Sequence, residues 1–185
     1  MSPMVIWDIT NATTFQTMCC ESTIQAIDFS PDGKTVVSAG DPTLHLWSLE
    51  TGKEIRQFSG HSDIVDFLRF SHDGRYIASG SVDKTVRIWD VATGQEIRRL
   101  PANQTWIGNL RFSADDAYLY VASASQSSSS IVPSKAEIRE WQVDLQAQIK
   151  QVCATLPRDF TPEERTRYGI TDDESTCPAE KSAPQ

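Results

Sequence analysis

The sequence has no long apolar run and few residues of the types that build metal sites. Its apolar stretches fall short of the roughly 18 residues that a membrane span needs. Its 4 cysteines and 3 histidines form no closely spaced set of ligands such as zinc requires, so we expect no metal and no cofactor. Residues 1–8 (MSPMVIWD) have neither a basic region nor a long apolar core, which argues against a signal peptide. These absences predict a soluble, cytoplasmic chain.

Positive charge is also scarce. The 185 residues include 17 Lys and Arg against 25 Asp and Glu, a formal net charge of −8. Because contacts with phosphates need clustered Lys and Arg, we expect neither nucleic acid nor an anionic membrane as a partner. The length suits roughly one domain.

The cysteines are Cys19, Cys20, Cys153 and Cys177. The adjacent pair is expected to pack as small apolar side chains at the end of a strand. Cys153 and Cys177 lie close enough in sequence to pair. Free thiols are the alternative, and a reducing compartment favours them.

A period of about 41 residues organises most of the sequence. The hexapeptide FSPDGK at residues 29–34 returns as FSHDGR at 70–75 and, more weakly, as FSADDA at 112–117. A tryptophan follows each copy, at positions 47, 89 and 141, and Trp7 stands in front of them. A fixed period of this length is typical of repeated structural units.

The unit at residues 60–100 shows what each repeat builds. Apolar runs, alternation and turn residues predict four short strands, at residues 64–70, 76–79, 85–89 and 96–100. In the first hairpin we expect Gly74 to adopt a positive φ. The sequence therefore predicts an all-β protein of four-stranded units.

This unit resembles a WD repeat, the blade of a β-propeller. The likeness rests on Gly60-His61, on the turn at 70–74 and on the segment SGSVDKTVRIWD at 79–90, all at fixed offsets. It covers residues 4–141 and implies an incomplete propeller arc. The expected parts are a partial blade at 4–18 and blades at 24–58, 64–100 and 106–141, the last with a flexible Ser-rich insertion at 123–135.

The neighbouring units depart from the pattern. Cys20-Glu21 and Asn103-Gln104 stand where Gly-His is expected, and Ser48 and Gln142 stand where Asp should follow the tryptophan. The turn of the third unit contains no glycine. About ten extra residues lie between Phe112 and Trp141, and they account for the Ser-rich insertion.

Four residues of the 60–100 unit invite two interpretations. Ser, His and Asp are the parts of a hydrolase triad, but no GxSxG elbow is present. The resemblance instead implies a buried structural tetrad, made of His61, Ser79 or Ser81, Asp83 and Trp89. In that tetrad the Asp orients the His, the His contacts the Ser, and the Ser accepts from the indole N–H. We expect the structural role and no enzymatic activity.

The strand pattern stops after Trp141. Apolar residues at helical spacing in 145–154 indicate a helix, and 161–164 (TPEE) read as a capping box with Thr161 as the N-cap. We therefore expect a short α-helical tail at 142–178 and a disordered end at 179–185. The tail resembles one that follows the last blade in bacterial WD-repeat signalling proteins. It is expected to cap a blade, or alternatively to bind a partner.

Two full units, one degenerate unit and two leading strands are too few for a closed propeller. The chain is then an arc of a larger bacterial signalling or regulatory protein, a truncated reading frame, or a protomer that closes by self-association. The leading functional interpretation is a scaffold that binds a protein or peptide through loops on one face. That face is predicted to carry Asp41, Pro42, Thr43, Ser62, Asp63, Val82 and Lys84, with residues 123–130 beside them. A purely structural segment that completes or caps a propeller is the alternative.

Overall fold

The chain is described by a computed structural model that covers residues 4–8, 13–18, 23–101, 106–126, 133–143, 161–163 and 165. Within these residues it contains thirteen β-strands in four antiparallel sheets. Residues Met1–Trp141 form one compact unit and Gln142–Gln185 a second. The sequence-based prediction of an all-β fold is confirmed.

Two sheets have four strands each, in simple up-and-down order. The first blade consists of β3 (Ala26–Phe29), β4 (Thr35–Ala39), β5 (Thr43–Ser48) and β6 (Glu54–Ser59). The second blade consists of β7 (Val65–Phe70), β8 (Tyr76–Ser81), β9 (Thr85–Asp90) and β10 (Glu96–Pro101). Each strand pairs with the next along the chain, as short hairpin connections require.

The two flanking sheets are smaller within the described residues. The N-terminal hairpin pairs β1 (Met4–Asp8) with β2 (Thr13–Met18) and no other strand. The third blade consists of β11 (Trp106–Phe112), β12 (Tyr118–Gln126) and β13 (Pro133–Gln142). The hairpin contains the Trp7 that corresponds to Trp47 and Trp89, so β1 and β2 correspond to the third and fourth strands of a blade.

The first hairpin of each blade is fixed by its own side chains. In the second blade Ser71 Oγ donates to Asp73 Oδ1 at 2.6 Å and accepts from the Tyr76 amide at 2.9 Å. Gly74 has a φ of +73°, in the left-handed region that glycine reaches without steric cost. The third blade has Asp116 at this position, with a φ of +56°.

The blades stack through alternate residues of their strands. We call the face directed towards the N-terminal neighbour the front face and the opposite one the rear face. A single apolar cluster joins the rear face of the first blade to the front face of the second, and Phe58 meets Trp89 edge to face at 5.9 Å. Its main members are Val37, Leu44, Leu46 and Phe58 on one side and Leu68, Phe70, Ile77 and Trp89 on the other. The core therefore lies between blades, so each blade depends on its neighbours.

Polar contacts also join the blades. Arg56 of the first blade donates from its guanidinium to the carbonyls of Ala92 and Thr93, at 2.9 and 2.8 Å. The Phe70 amide donates to Asp28 Oδ2 at 2.8 Å. These bonds cross from one sheet to the next, so they hold neighbouring blades in register.

Asp116 makes the corresponding connection between the third and second blades. Its carboxylate accepts from the backbone amides of His72 and Asp73, both at 2.9 Å, and lies 2.8 Å from His72 Nδ1. Partial burial raises the pKa of Asp116, but these donors outweigh burial and lower its pKa overall. The carboxylate explains why an aspartate occupies a turn position that glycine holds elsewhere.

The prediction of a flexible Ser-rich loop is partly wrong. Residues 123–126 continue β12 instead of leaving the sheet, and Ser123 is buried opposite Ile107. The extra residues lengthen the hairpin to strands of nine and ten residues, and residues 133–135 likewise lie in β13.

Other predictions fall largely outside the described residues. In the tail, Pro162, Glu163 and Arg165 have helical backbone, and the Arg165 amide donates to the Thr161 carbonyl at 2.8 Å. This hydrogen bond closes a helical turn at the position where Thr161, the predicted N-cap, would begin the helix. The predicted helix at 145–154, the predicted disordered end, residues 127–132 of the Ser-rich segment and all four cysteines lie outside the described residues.

Candidate functional site

The structure brings the four predicted tetrad residues together inside the second blade. His61 precedes β7, Ser79 lies in β8, Asp83 lies in the β8–β9 turn and Trp89 lies in β9. His61 Nδ1 is 2.8 Å from Asp83 Oδ2, and His61 Nε2 is 2.7 Å from Ser79 Oγ. The Trp89 indole N–H donates to the same Ser79 Oγ at 2.8 Å. The chain of contacts thus runs from the loop before β7 across two strands.

A neutral His61 with its proton on Nδ1 satisfies this chain of hydrogen bonds. Nδ1–H then donates to Asp83, and Nε2 accepts from the Ser79 hydroxyl, which itself accepts from Trp89. Burial lowers the pKa of His61 below its usual 6.5, and the hydrogen bond to Asp83 offsets only part of this effect. Neutral His61 is therefore the favoured form near neutral pH.

Asp83 is held in its charged form. Burial alone would raise its pKa, but hydrogen bonds outweigh burial and lower the pKa to about 2. The donors are Thr85, His61 and the Ser62 amide. The carboxylate therefore ties the loop before β7 to the β8–β9 turn.

The residue before His61 must be small for this geometry. A Cβ on Gly60 would lie 2.5 Å from Arg87 Nη1 and 3.0 Å from Trp89 Cη2. Both of those groups are buried, so neither can withdraw easily. The Gly-His pair is thus explained by the close approach of Trp89.

The choice between Ser79 and Ser81 is settled by their contacts. Ser81 Oγ donates to the Asp63 carbonyl at 3.0 Å and accepts from the Asp83 amide at 3.0 Å. Ser81 therefore connects two loops, and neither of these two hydrogen bonds involves His61 or Trp89. Ser79 is fully buried, so a substrate has no route to its hydroxyl in this conformation.

Among the residues that the structure describes, the first blade contains a shorter form of this network. Trp47 donates its indole N–H to Ser38 Oγ at 2.9 Å, as Trp89 does to Ser79. His45 Nδ1 lies 2.6 Å from Glu54 Oε1, and its Nε2 lies 3.9 Å from Asp41 Oδ1.

In the second blade Arg87 takes the place of His45. Its guanidinium bonds to Glu96 and lies 3.9 Å from Asp83. The same cross-strand arrangement of a nitrogen-bearing side chain and two carboxylates is therefore built twice, although its central residue differs.

The strand register places the loops of the predicted partner-binding face at one end of the sheets. Thr43 pairs with Ser59 and Val65 with Ser81, so the loops before β5, β7 and β9 emerge at the same end. We call this end the loop surface, defined by Asp41, Thr43, Ser62, Asp63, Val82 and Lys84. Residues 127–130, which were expected beside it, lie outside the described residues.

The loop surface is held by its own hydrogen bonds. Asp41 Oδ1 accepts from the Thr43 amide at 2.8 Å, and Asp63 Oδ1 accepts from the Ile64 amide at 2.8 Å. The Val82 amide donates to the Ile64 carbonyl at 2.9 Å. Lys84 has a φ of +66°. The loops therefore present a fixed arrangement of charges to solvent.

The part of the chain that the structure describes offers little else for chemistry. No group of three or more His, Cys, Asp or Glu is arranged to hold a metal ion there. No helix among those residues is long and apolar enough to cross a membrane. A cavity between Leu100 and Trp141 has a volume of about 10 Å³, which is room for a single water molecule.

Sequence reasoning missed the contacts between blades. Arg56 gives no sequence signal, because an arginine in a polar outer strand is expected to face solvent. Asp116 did give a sequence signal, since an aspartate stands where the other two blades have the turn glycine. Its partners, the amides of His72 and Asp73, could not be read from the sequence.

Comparison with known proteins supports the repeat on two units. The family described as "WD domain, G-beta repeat" matches residues 12–48 and 52–90. Protein HIR1 of Coccidioides immitis is 36% identical in a 74-residue alignment that covers 33% of this chain and 7% of that protein. The G(I)/G(S)/G(T) subunit beta-1 of Homarus americanus is 42% identical over 55 residues, covering 30% of this chain and 16% of that protein.

A plant protein is similar as well. Autophagy-related protein 16 of Arabidopsis thaliana is 34% identical over 79 residues, covering 42% of this chain and 16% of that protein. The chain thus spans only 7–16% of the length of these relatives. All three are eukaryotic, and they give no support to the expected resemblance to bacterial signalling proteins.

Proposed function

We propose that the chain is a WD-repeat protein, because the family model matches residues 12–48 and 52–90, and that it is a non-enzymatic scaffold that binds a protein or peptide through the loop surface. The observation that carries the proposal is the fixing of that surface. Side-chain and backbone hydrogen bonds hold the loops before β5, β7 and β9 on two packed blades. Rigid loops on a packed scaffold lose little conformational entropy when they bind.

The proposed role of the tetrad is structural. His61 and Asp83 connect the loop before β7 to the loop before β9, so they set the distance between Asp63 and Lys84 on the loop surface. The full burial of Ser79 supports this role over hydrolysis. The tetrad would then affect binding through the position of the loops and not by touching the partner.

The kind of partner follows from the exposed charges. Asp63 and Lys84 are both exposed and of opposite sign, which favours a peptide with both basic and acidic side chains over a polyanion. The much greater length of the relatives supports a role within a larger regulatory protein. A cytoplasmic location stays a prediction.

Charge reversal on the loop surface tests the proposal. Peptides selected from a random displayed library against the whole chain should bind the wild type saturably. Asp63→Lys and Lys84→Glu should each weaken the selected peptides by about tenfold or more, the effect of losing one charged contact. The variants must retain the β-sheet circular dichroism of the wild type.

The matched control is Glu50→Lys, a charge reversal at an exposed turn at the opposite end of the first blade. It should leave binding unchanged. If no peptide is selected, or if Glu50→Lys weakens binding as much as Asp63→Lys, the loop surface is not the binding site.

A further inference from the structure

A histidine of the first blade lies between two carboxylates, one of which belongs to the loop surface. His45 Nδ1 is 2.6 Å from Glu54 Oε1 of β6, and His45 Nε2 is 3.9 Å from Asp41 Oδ1 in the loop before β5. The imidazole stacks on the Trp47 ring at a centroid distance of 6.0 Å. The side chain of His45 is 22% exposed, and those of Asp41 and Glu54 are 36% and 31% exposed. Solvent protons therefore reach all three groups.

The second blade holds a permanent cation at the same place. Asp41 and Asp83 both stand six residues before the tryptophan of the third strand, and each accepts a hydrogen bond at 2.8 Å from the backbone amide two residues further on. Arg87 bonds to Glu96 and lies 3.9 Å from Asp83. Because an arginine stays protonated throughout the physiological range, that cluster keeps its charge. The first blade has at this position His45, a side chain that titrates between about pH 5 and 8.

The two protonation states of His45 act differently on Asp41. In the neutral form with its proton on Nδ1, His45 donates to Glu54 and directs the lone pair of Nε2 towards the Asp41 carboxylate. A lone pair that faces an anion repels it. In the imidazolium both ring nitrogens carry a proton, so Nε2–H attracts Asp41 while Nδ1–H keeps its bond to Glu54. Protonation thus changes the contact with Asp41 from repulsive to attractive.

The sheet adds no further charge at the level of His45. Its partners across the ladder are Ser38 on β4 and Gln57 on β6, which are both uncharged. Gln57 Nε2 donates to Glu54 Oε2 at 3.1 Å and so helps to hold that carboxylate in place. Within the described residues, the ion pairs of His45 are those with Asp41 and Glu54.

The N-terminal hairpin packs on the same face of the first blade through Met4 and Ile6. Its strand β2 contains no titratable residue. The side chain of Asp8 in β1 and the whole of Glu21 lie outside the described residues. Arg56, the cation of β6, bonds to carbonyls of the second blade instead. Among the described groups, the net charge of the cluster near neutral pH therefore depends on His45.

We propose that His45 is a pH-sensitive switch that sets the charge of the loop surface at Asp41. While His45 is neutral, Asp41 presents an uncompensated carboxylate to a basic group of a partner. As the pH falls through the range in which the imidazole titrates, the imidazolium pairs with Asp41 and competes with that partner. The link between the two residues stands on the geometry of the first blade, whereas its effect on a partner rests on the function proposed for the loop surface.

An NMR titration of the whole chain tests the link without any partner. The Thr43 amide reports on Asp41, because it donates to Asp41 Oδ1 at 2.8 Å. Between about pH 8 and 5.5, the shift of the Thr43 amide should follow the same titration curve as the ring of His45. In His45→Arg, which copies the second blade, and in His45→Gln, the Thr43 amide should show no step in this range, because a carboxylate titrates at lower pH.

His72→Gln is the matched control. His72 also lies beside a carboxylate, that of Asp116, but at the opposite end of the sheets. Its removal should leave the Thr43 curve unchanged. The inference is overturned if the Thr43 amide does not follow the His45 ring, or if its step persists in His45→Gln.

The effect on binding is measured with displayed peptides that are selected at about pH 7.5, contain no histidine and bind Asp41→Asn more weakly than the wild type. Their affinity for the wild type should fall roughly threefold between about pH 7.5 and 5.5, the effect of losing an exposed ion pair. Their affinity for His45→Gln should stay constant, and His45→Arg should bind weakly at both values. An unchanged affinity in the wild type would rule out the switch. If no peptide is selected, the function proposed for the loop surface fails, while the NMR titration still decides the link between His45 and Asp41.

Discussion

The first and second blades have the same strands and turns, yet within the described residues their polar networks differ in extent. Both join the third strand to the second through a Trp–Ser hydrogen bond. In the second blade the serine also contacts His61, which reaches Asp83 and the loop before β7. In the first blade the sequence has Cys20-Glu21 where Gly60-His61 stands in the second.

The comparison separates two roles of the network. The Trp–Ser bond satisfies the indole N–H, which would otherwise be buried without a partner, and this need is common to both blades. The His–Asp extension fixes the loops at one end of the sheet. Within the described residues, the first blade forms its Trp–Ser bond without a histidine at the position of His61.

The largest expected effect comes from removing the two serines. Ser79→Ala leaves both His61 Nε2 and the Trp89 indole without their partner, whereas Ser38→Ala removes the partner of the Trp47 indole. Since a buried unpaired polar group costs about 1–3 kcal/mol, we expect the free energy of unfolding to fall by about 3 kcal/mol for Ser79→Ala and about 1–2 kcal/mol for Ser38→Ala. Urea denaturation followed by tryptophan fluorescence measures both. Equal losses would mean that His61 adds nothing to the Trp–Ser bond.

The next effect is the response to acid. His61 has a lowered pKa in the folded chain, so its contribution to stability is complete above about pH 6.5 and is lost as the pH falls below that value. Asp83, with its pKa lowered from 3.8 to about 2, contributes above about pH 3.8 and loses that contribution as the pH falls towards 2. The free energy of unfolding should therefore decline in two steps on acidification.

His61→Ala provides the control for the first step. This variant should be less stable than the wild type at pH 7, because Ser79 and Asp83 each lose a partner. Its stability should also fall less between pH 6.5 and 5. If the two pH profiles run parallel in that range, His61 is not buried in its neutral form.

Most of the blade structure could be predicted from the sequence, because the signals are local. The period, the Ser-x-Asp-Gly turns and the alternation in 85–89 depend on residues close together in the chain. The tetrad could be placed for the same reason, since its members occupy fixed offsets within one unit. The extension of β12 through residues 123–126 was missed because a Ser-rich composition is typical of loops.

Contacts between blades could not be predicted in this way. The exposure of Ile27 and Phe29 depends on which strands lie in front of β3, and the sequence of β3 is as apolar as that of β7. Arg56 likewise bonds to carbonyls some 36 residues away. Such features depend on the stacking of complete sheets, which a repeat pattern implies only in outline.

The smallest effect concerns Asp116, the turn residue that distinguishes the third blade from the other two. Asp116→Gly relieves the left-handed backbone, worth about 1 kcal/mol at a non-glycine residue, but it removes the acceptor for the amides of His72 and Asp73. Because those amides can rehydrate, we expect a net loss of only about 0.5 kcal/mol. Asp116→Ala keeps the backbone cost and loses the acceptor, so it should cost about 1–2 kcal/mol, and Asp116→Asn should lie closest to the wild type. Thermal and urea unfolding of the three variants would give this order. A glycine variant more stable than the wild type would show that the bonds to the second blade do not offset the strained turn.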